Sequence, residues 1–118
     1  MQVTVIFNSN SRQNGLYTGW GLSLLVGTKI VFDTGEKGVW LHENMRALGI
    51  QPQALESVVI SHDHWDHTGG LWELLRRKKG LNVYACPGFS KKFRERVKKL
   101  QGNIITADKA MGVSGSVF

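Results

Sequence analysis

Residues 61–70, SHDHWDHTGG, hold three of the chain's four histidines and two aspartates within a single short stretch. Imidazole and carboxylate are the ligand types that suit zinc, iron or manganese, and both can move protons. His62 and His64 are two apart, so they share a face if the chain stays extended. Asp66 continues that parity, and His67 breaks it. The pattern offers two imidazoles to one metal ion, and a carboxylate plus an imidazole to a second. The bland alternative is a polar surface loop with incidental histidines. It is the weaker reading, because crowded, half-buried imidazoles need partners and a metal provides them.

These residues need elements to hold them. The apolar run 57–62 reads as a buried strand ending at His62, and 69–80 reads as a helix with Leu71, Leu74 and Leu75 on one face, closed by Gly80. The residues between them are expected to form a loop, with Gly69 and Gly70 allowing close backbone approach. Upstream, 2–7 alternates as a strand, 8–15 reads as a loop, and 21–27 and 29–35 read as strands around a tight turn at Gly27-Thr28. Leu41, Met45 and Leu48 define a helix over 37–48 that ends at Gly49. Downstream come a strand at 82–86, a helix at 90–101 with Ser90 as N-cap and Gly102 past its end, and a strand at 103–107. The tail 108–118 has no clear period. Strands followed by alternating helix and strand predict an α/β layered fold.

The signature His62-x-His64-x-Asp66-His67 resembles that of the metallo-β-lactamase superfamily, and FDTG (32–35) resembles its first motif. The longer pattern GWGLSLLV, IVFDTG, a helix, LGI and VVISHDHWDHTGG is most similar to the dihydropterin-synthase-like branch of metal-dependent hydrolases. The likeness spans roughly residues 18 to 86. It implies that His62 and His64 bind a first metal and that Asp66 and His67 bind a second. It gives Asp33 a supporting hydrogen-bonding role, against the plainer reading of a strand-end turn aspartate. The implied cofactor is a pair of divalent ions, zinc first and iron or manganese as alternatives. The implied chemistry is hydrolysis of an ester, amide or phosphoester-type bond by a metal-activated hydroxide, with Asp66 handling a proton. Trp65, between the ligands, is a candidate for the wall of a small-molecule substrate pocket or else a packing residue. Trp20 reads rather as packing.

The resemblance also implies a shortfall. Members of the superfamily are about twice this length and fold as a four-layer αββα sandwich. Their second half supplies further ligands, whereas this sequence has no histidine after His67. The chain therefore reads as one apparently truncated domain, 1–118: half of that sandwich, one mixed sheet with helices on one face. Two ligands per metal fall short of the three that catalytic zinc takes. A second copy, or a partner chain supplying the other half, would complete the site and cover an otherwise bare apolar sheet face. The alternative is a non-catalytic metal-binding or assembly subunit with a partial site. His42 matches no motif and reads as a solvated helix position.

Composition narrows the rest. Hydrophobic residues make up 42% of 118, enough for one core. No apolar run is long enough for a membrane span, and no signal peptide is apparent. The single cysteine, Cys86, reads as a buried structural thiol, and its solitude suits a reducing, cytoplasmic setting. The net charge of +6 is concentrated: 71–102 carries ten Lys/Arg and two Glu. That excess raises nucleic-acid binding as a weaker possibility. Its helical spacing favours a solvated outer face.

Overall fold

The computed structural model describes residues 2–9 and 15–107. Six strands form one sheet in sequence order: β1 (Val3–Phe7), β2 (Ser23–Val26), β3 (Ile30–Phe32), β4 (Ser57–Val59), β5 (Asn82–Ala85) and β6 (Asn103–Thr106). β1, β2 and β3 pair antiparallel, and β3 through β6 pair parallel. The switch follows from the connections. The tight turn at Gly27 joins β2 to β3, whereas each later connection is long enough for a crossover helix. Those helices are α1 (Gly38–Ala47), α2 (Trp65–Thr68) running directly into α3 (Leu71–Arg77), and α4 (Lys91–Lys99). Right-handed crossovers advancing in one direction put all of them on one face. This is the mixed α/β sheet that the sequence predicts.

Strand register sorts the side chains. Leu25, Val31, Val58 and Val83 face the helices and join Leu41, Met45, Leu71, Leu74, Leu75, Phe93 and Val97 in one core. On the other face, Val5, Leu24, Phe32, Val59, Tyr84 and Ile105 are cross-strand partners in one unbroken row. None of the six belongs to the helix-side core. Tyr84 is buried, Leu24, Phe32, Val59 and Ile105 are half-buried, and Val5 is exposed.

Several elements differ from expectation in ways that matter for the site. β3 and β4 are shorter than 29–35 and 57–62. Asp33 takes a left-handed conformation, φ 55°, which ends β3. Its carboxylate then draws the Ser61 N–H out of the β-ladder, at 2.7 Å. The loop expected between His62 and Gly69 contains the one-turn helix α2. α3 ends at Arg77, so Gly80 lies beyond its C-cap rather than closing it. Gly102 does not take the left-handed position after α4; Gln101 does, with φ 65°. Cys86 is exposed, because β5 stops one residue short of it. His42 is half-buried rather than solvated. The tail 108–118 lies outside the described residues, as does most of the expected loop 8–15.

Candidate metal centre

The site sits at the C-terminal ends of the parallel strands, where the loops after β3 and β4 meet. Asp33 is 1% exposed, and each of its oxygens is engaged. Oδ1 accepts the Ser61 N–H, while Oδ2 accepts the Ser61 hydroxyl and lies 2.8 Å from His67 Nδ1. A buried carboxylate is stable only when satisfied in this way. Thr34 holds the other end of the same residue: its N–H and its hydroxyl both donate to the His67 carbonyl, at 2.9 and 2.6 Å. Consecutive residues thus fix the His67 ring and its backbone together.

His62 extends the network. Its Nδ1 is 2.9 Å from Ser61 Oγ, and its ring centroid is 4.9 Å from that of His67 and 6.0 Å from that of His64. His64 is extended, φ −128° and ψ 148°, and forms the N-cap of α2. The extended parity expected through Asp66 therefore stops at His64. Asp66 and His67 project instead from the helical turn, and His67 folds back toward Asp33. Asp66 Oδ2 is 3.8 Å from His67 Nε2. That is too long for a hydrogen bond, yet within the span of two donors each about 2 Å from one ion.

Three anchors hold this loop. An ideal Cβ on Gly21, at φ +94°, would sit 1.8 Å from the Asp66 carbonyl oxygen, so the approach to β2 passes directly over the site loop. Cβ atoms on Gly69 and Gly70 would likewise meet the carbonyls of Glu36 and Thr34, at 2.0 and 2.2 Å. Finally, Asp63 Oδ2 accepts the Ser90 N–H at 2.9 Å, which ties the loop to the start of α4. The FDTG and SHDHWDHTGG motifs are thus packed together through backbone atoms.

The donor types suit a divalent cation, because imidazoles and a carboxylate lie together at the C-terminal ends of β3 and β4. The donor number does not close a site. Among the described residues, no group of three or more His, Cys, Asp or Glu side chains is placed to hold a metal ion. His62, His64 and Trp65 are exposed, with Trp65 at 60% and Trp20 at 70%. Trp20 is therefore not a packing residue. Its backbone N–H donates to Glu36 Oε1 at 2.9 Å, one residue from the contact between Gly21 and Asp66. Sequence reasoning gave no role to Ser61 or Asp63. The available signal was a small hydroxyl residue directly before the first histidine and an acidic residue between two histidines.

The model of the metallo-beta-lactamase superfamily matches residues 21–101, and the chain belongs to that superfamily. It is similar to 7,8-dihydropterin-6-methyl-4-(beta-D-ribofuranosyl)-aminobenzene-5'-phosphate synthase of Methanocaldococcus jannaschii, 33% identical over 79 residues, which cover 60% of this chain and 27% of that protein. It is also 37% identical over 65 residues to a hydroxyacylglutathione hydrolase of Serratia proteamaculans, covering 55% of this chain and 24% of that one. A solved metal-dependent hydrolase of the beta-lactamase superfamily matches with a TM-score of 0.73 and 27% identity, over 96% of this chain and 44% of that one. The chain spans about a quarter of the curated relatives' length and less than half of that structure's. Among the described residues, no helix is long and apolar enough to cross a membrane.

Proposed function

We propose that this chain carries the metal-binding wall of a metal-dependent hydrolase. His62 and His64 serve one divalent ion, and Asp66 and His67 serve a second, with zinc favoured over iron or manganese. The observation that carries this reading is the bond between buried Asp33 and His67 Nδ1, at 2.8 Å. Metal-binding histidines use such a carboxylate to fix the ring and raise its basicity while the other nitrogen faces the ion. When bound, the metal pair would lower the pKa of a water and polarise the scissile ester, amide or phosphoester.

The chain's own residues supply the rest. Asp33 orients His67 and holds its Nδ1 proton. Asp66, 29% exposed at its side chain, is open enough to exchange a proton with substrate or solvent. Trp65, and with it Trp20, offers an exposed indole beside the site to a small-molecule substrate. The further ligands would come from protein outside residues 2–107, either another copy or the other half of the fold, which would also cover the apolar row. A reducing cytoplasmic setting accords with the single thiol.

The test is hydrolysis of p-nitrophenyl acetate and bis-p-nitrophenyl phosphate by protein supplemented with zinc, iron or manganese. Turnover should disappear with EDTA and fall by about 10²-fold or more in Asp66→Asn. Metal retention without turnover of either substrate would favour the alternative, a non-catalytic metal-binding subunit.

A further inference from the structure

The network around Asp33 contains a residue whose function follows from counting protons. Ser61 Oγ lies against three partners: Asp33 Oδ2, His62 Nδ1 at 2.9 Å and His67 Nδ1 at 3.4 Å. A serine hydroxyl has one proton to donate and two lone pairs. Asp33, as a carboxylate, can only accept, so the Ser61 proton goes to Oδ2. Ser61 Oγ must then accept from His62, which requires the proton of neutral His62 to sit on Nδ1. His67 meets the same demand directly, through its own Nδ1 against Asp33 Oδ2 at 2.8 Å. Its 3.4 Å approach to Ser61 Oγ is secondary.

We propose that Ser61 is a positioning residue that relays the orienting effect of Asp33 to His62, so that one buried carboxylate sets the tautomer of two imidazoles. His67 is set directly and His62 through the hydroxyl. Both rings then present a bare Nε2, the atom a divalent metal takes. This deepens the hydrolase reading and rests on it for its purpose, although the tautomer itself is measurable without any metal.

The geometry provides a clean variant. The Ser61 backbone N–H has its own bond to Asp33 Oδ1, at 2.7 Å, so Ser61→Ala removes only the hydroxyl and leaves the loop anchored. Ser61→Thr keeps the hydroxyl. Nitrogen-15 NMR of the histidine rings reads the tautomer directly. The measurement belongs in metal-free protein, at a pH high enough that the ring signals no longer change with added base. The wild type is expected to show His62 and His67 both protonated on Nδ1. Ser61→Ala should lose that signature at His62 alone, and Ser61→Thr should restore it. Zinc affinity, measured by competition with a chromophoric chelator, should fall about 10-fold or more in Ser61→Ala and recover in Ser61→Thr.

A wild-type His62 protonated on Nε2 overturns the relay whatever the variants do. So does a His62 that keeps its Nδ1 proton in Ser61→Ala, or a simultaneous loss at His62 and His67 that threonine does not repair. Failure of the hydrolase reading looks different: the tautomers follow the pattern above, but zinc does not bind.

Discussion

Asp33 is the residue at the centre of the hydrogen-bond network joining Ser61 and His67, and its position was only partly visible in the sequence. The resemblance of FDTG to the superfamily's first motif implied support through hydrogen bonds. The structure adds the mechanism: a left-handed backbone at φ 55° aims a 1%-exposed carboxylate at Ser61 and His67. Backbone strain of about 1–3 kcal/mol at such a position is retained where surrounding contacts repay it. Asp33→Asn should weaken zinc binding about 10- to 100-fold, read by chelator competition, because an amide cannot satisfy all three donors that now converge on the carboxylate. An unchanged affinity would remove Asp33 from the site. The roles of Ser61 and Asp63 were not legible, since each depends on a partner 28 or 27 residues away.

At the scale of elements, most of the reading was available from periodicity. α1 and α4 declare themselves by apolar residues at helical spacing, and both occur with ends close to those expected. α2 could not be read, because four residues are too few to show a period. The strands flanking the site were over-extended for a related reason: apolar content persists after the side chain of Asp33 has replaced the backbone partner of Ser61. The ends of α4 allow two checks. Ser90 Oγ accepts the Phe93 N–H at 3.1 Å, so Ser90→Ala should cost about 1 kcal/mol in urea unfolding. At the other end, Gln101 N–H bonds to the Lys98 carbonyl and Gly102 N–H to the Val97 carbonyl, the pattern that normally carries glycine at the left-handed position. Gln101→Gly should therefore raise stability by up to about 1 kcal/mol, since a side chain there pays a steric cost that glycine avoids. A Cβ on Gly102 would come within 2.8 Å of Leu75 Cδ2 and 2.9 Å of Val97 Cγ1, so a larger residue there requires those side chains to shift.

Across the whole molecule, one sheet face packs on the helices and the other carries the apolar row from Val5 to Ile105. The sequence showed that both faces of the central strands are apolar; only the register showed that the outer residues line up across all six strands. A row of that kind is normally covered, which is why self-association is part of the proposal. Light scattering at micromolar concentration should report at least a dimer. Val59→Lys, which puts a charge at the centre of the row, should shift it to monomer while leaving the helix-side core intact. A sharp monomer peak for the unaltered chain would contradict self-association. The basic charge has a partly structural explanation. Arg94 bonds to the carbonyls of Cys86 and Pro87 and to Thr106 Oγ1, and Arg96 lies 4.1 Å from the Trp72 ring centroid. The remaining lysines of α4 point outward.

The most direct test of the central claim is metal content per chain, by elemental analysis of purified protein, with His62→Ala/His64→Ala as the control. The account predicts about one to two divalent ions per chain in the unaltered protein and a clear loss in the control. No metal above background, even after incubation with zinc, iron and manganese, would contradict it and leave the histidine cluster without the role proposed here.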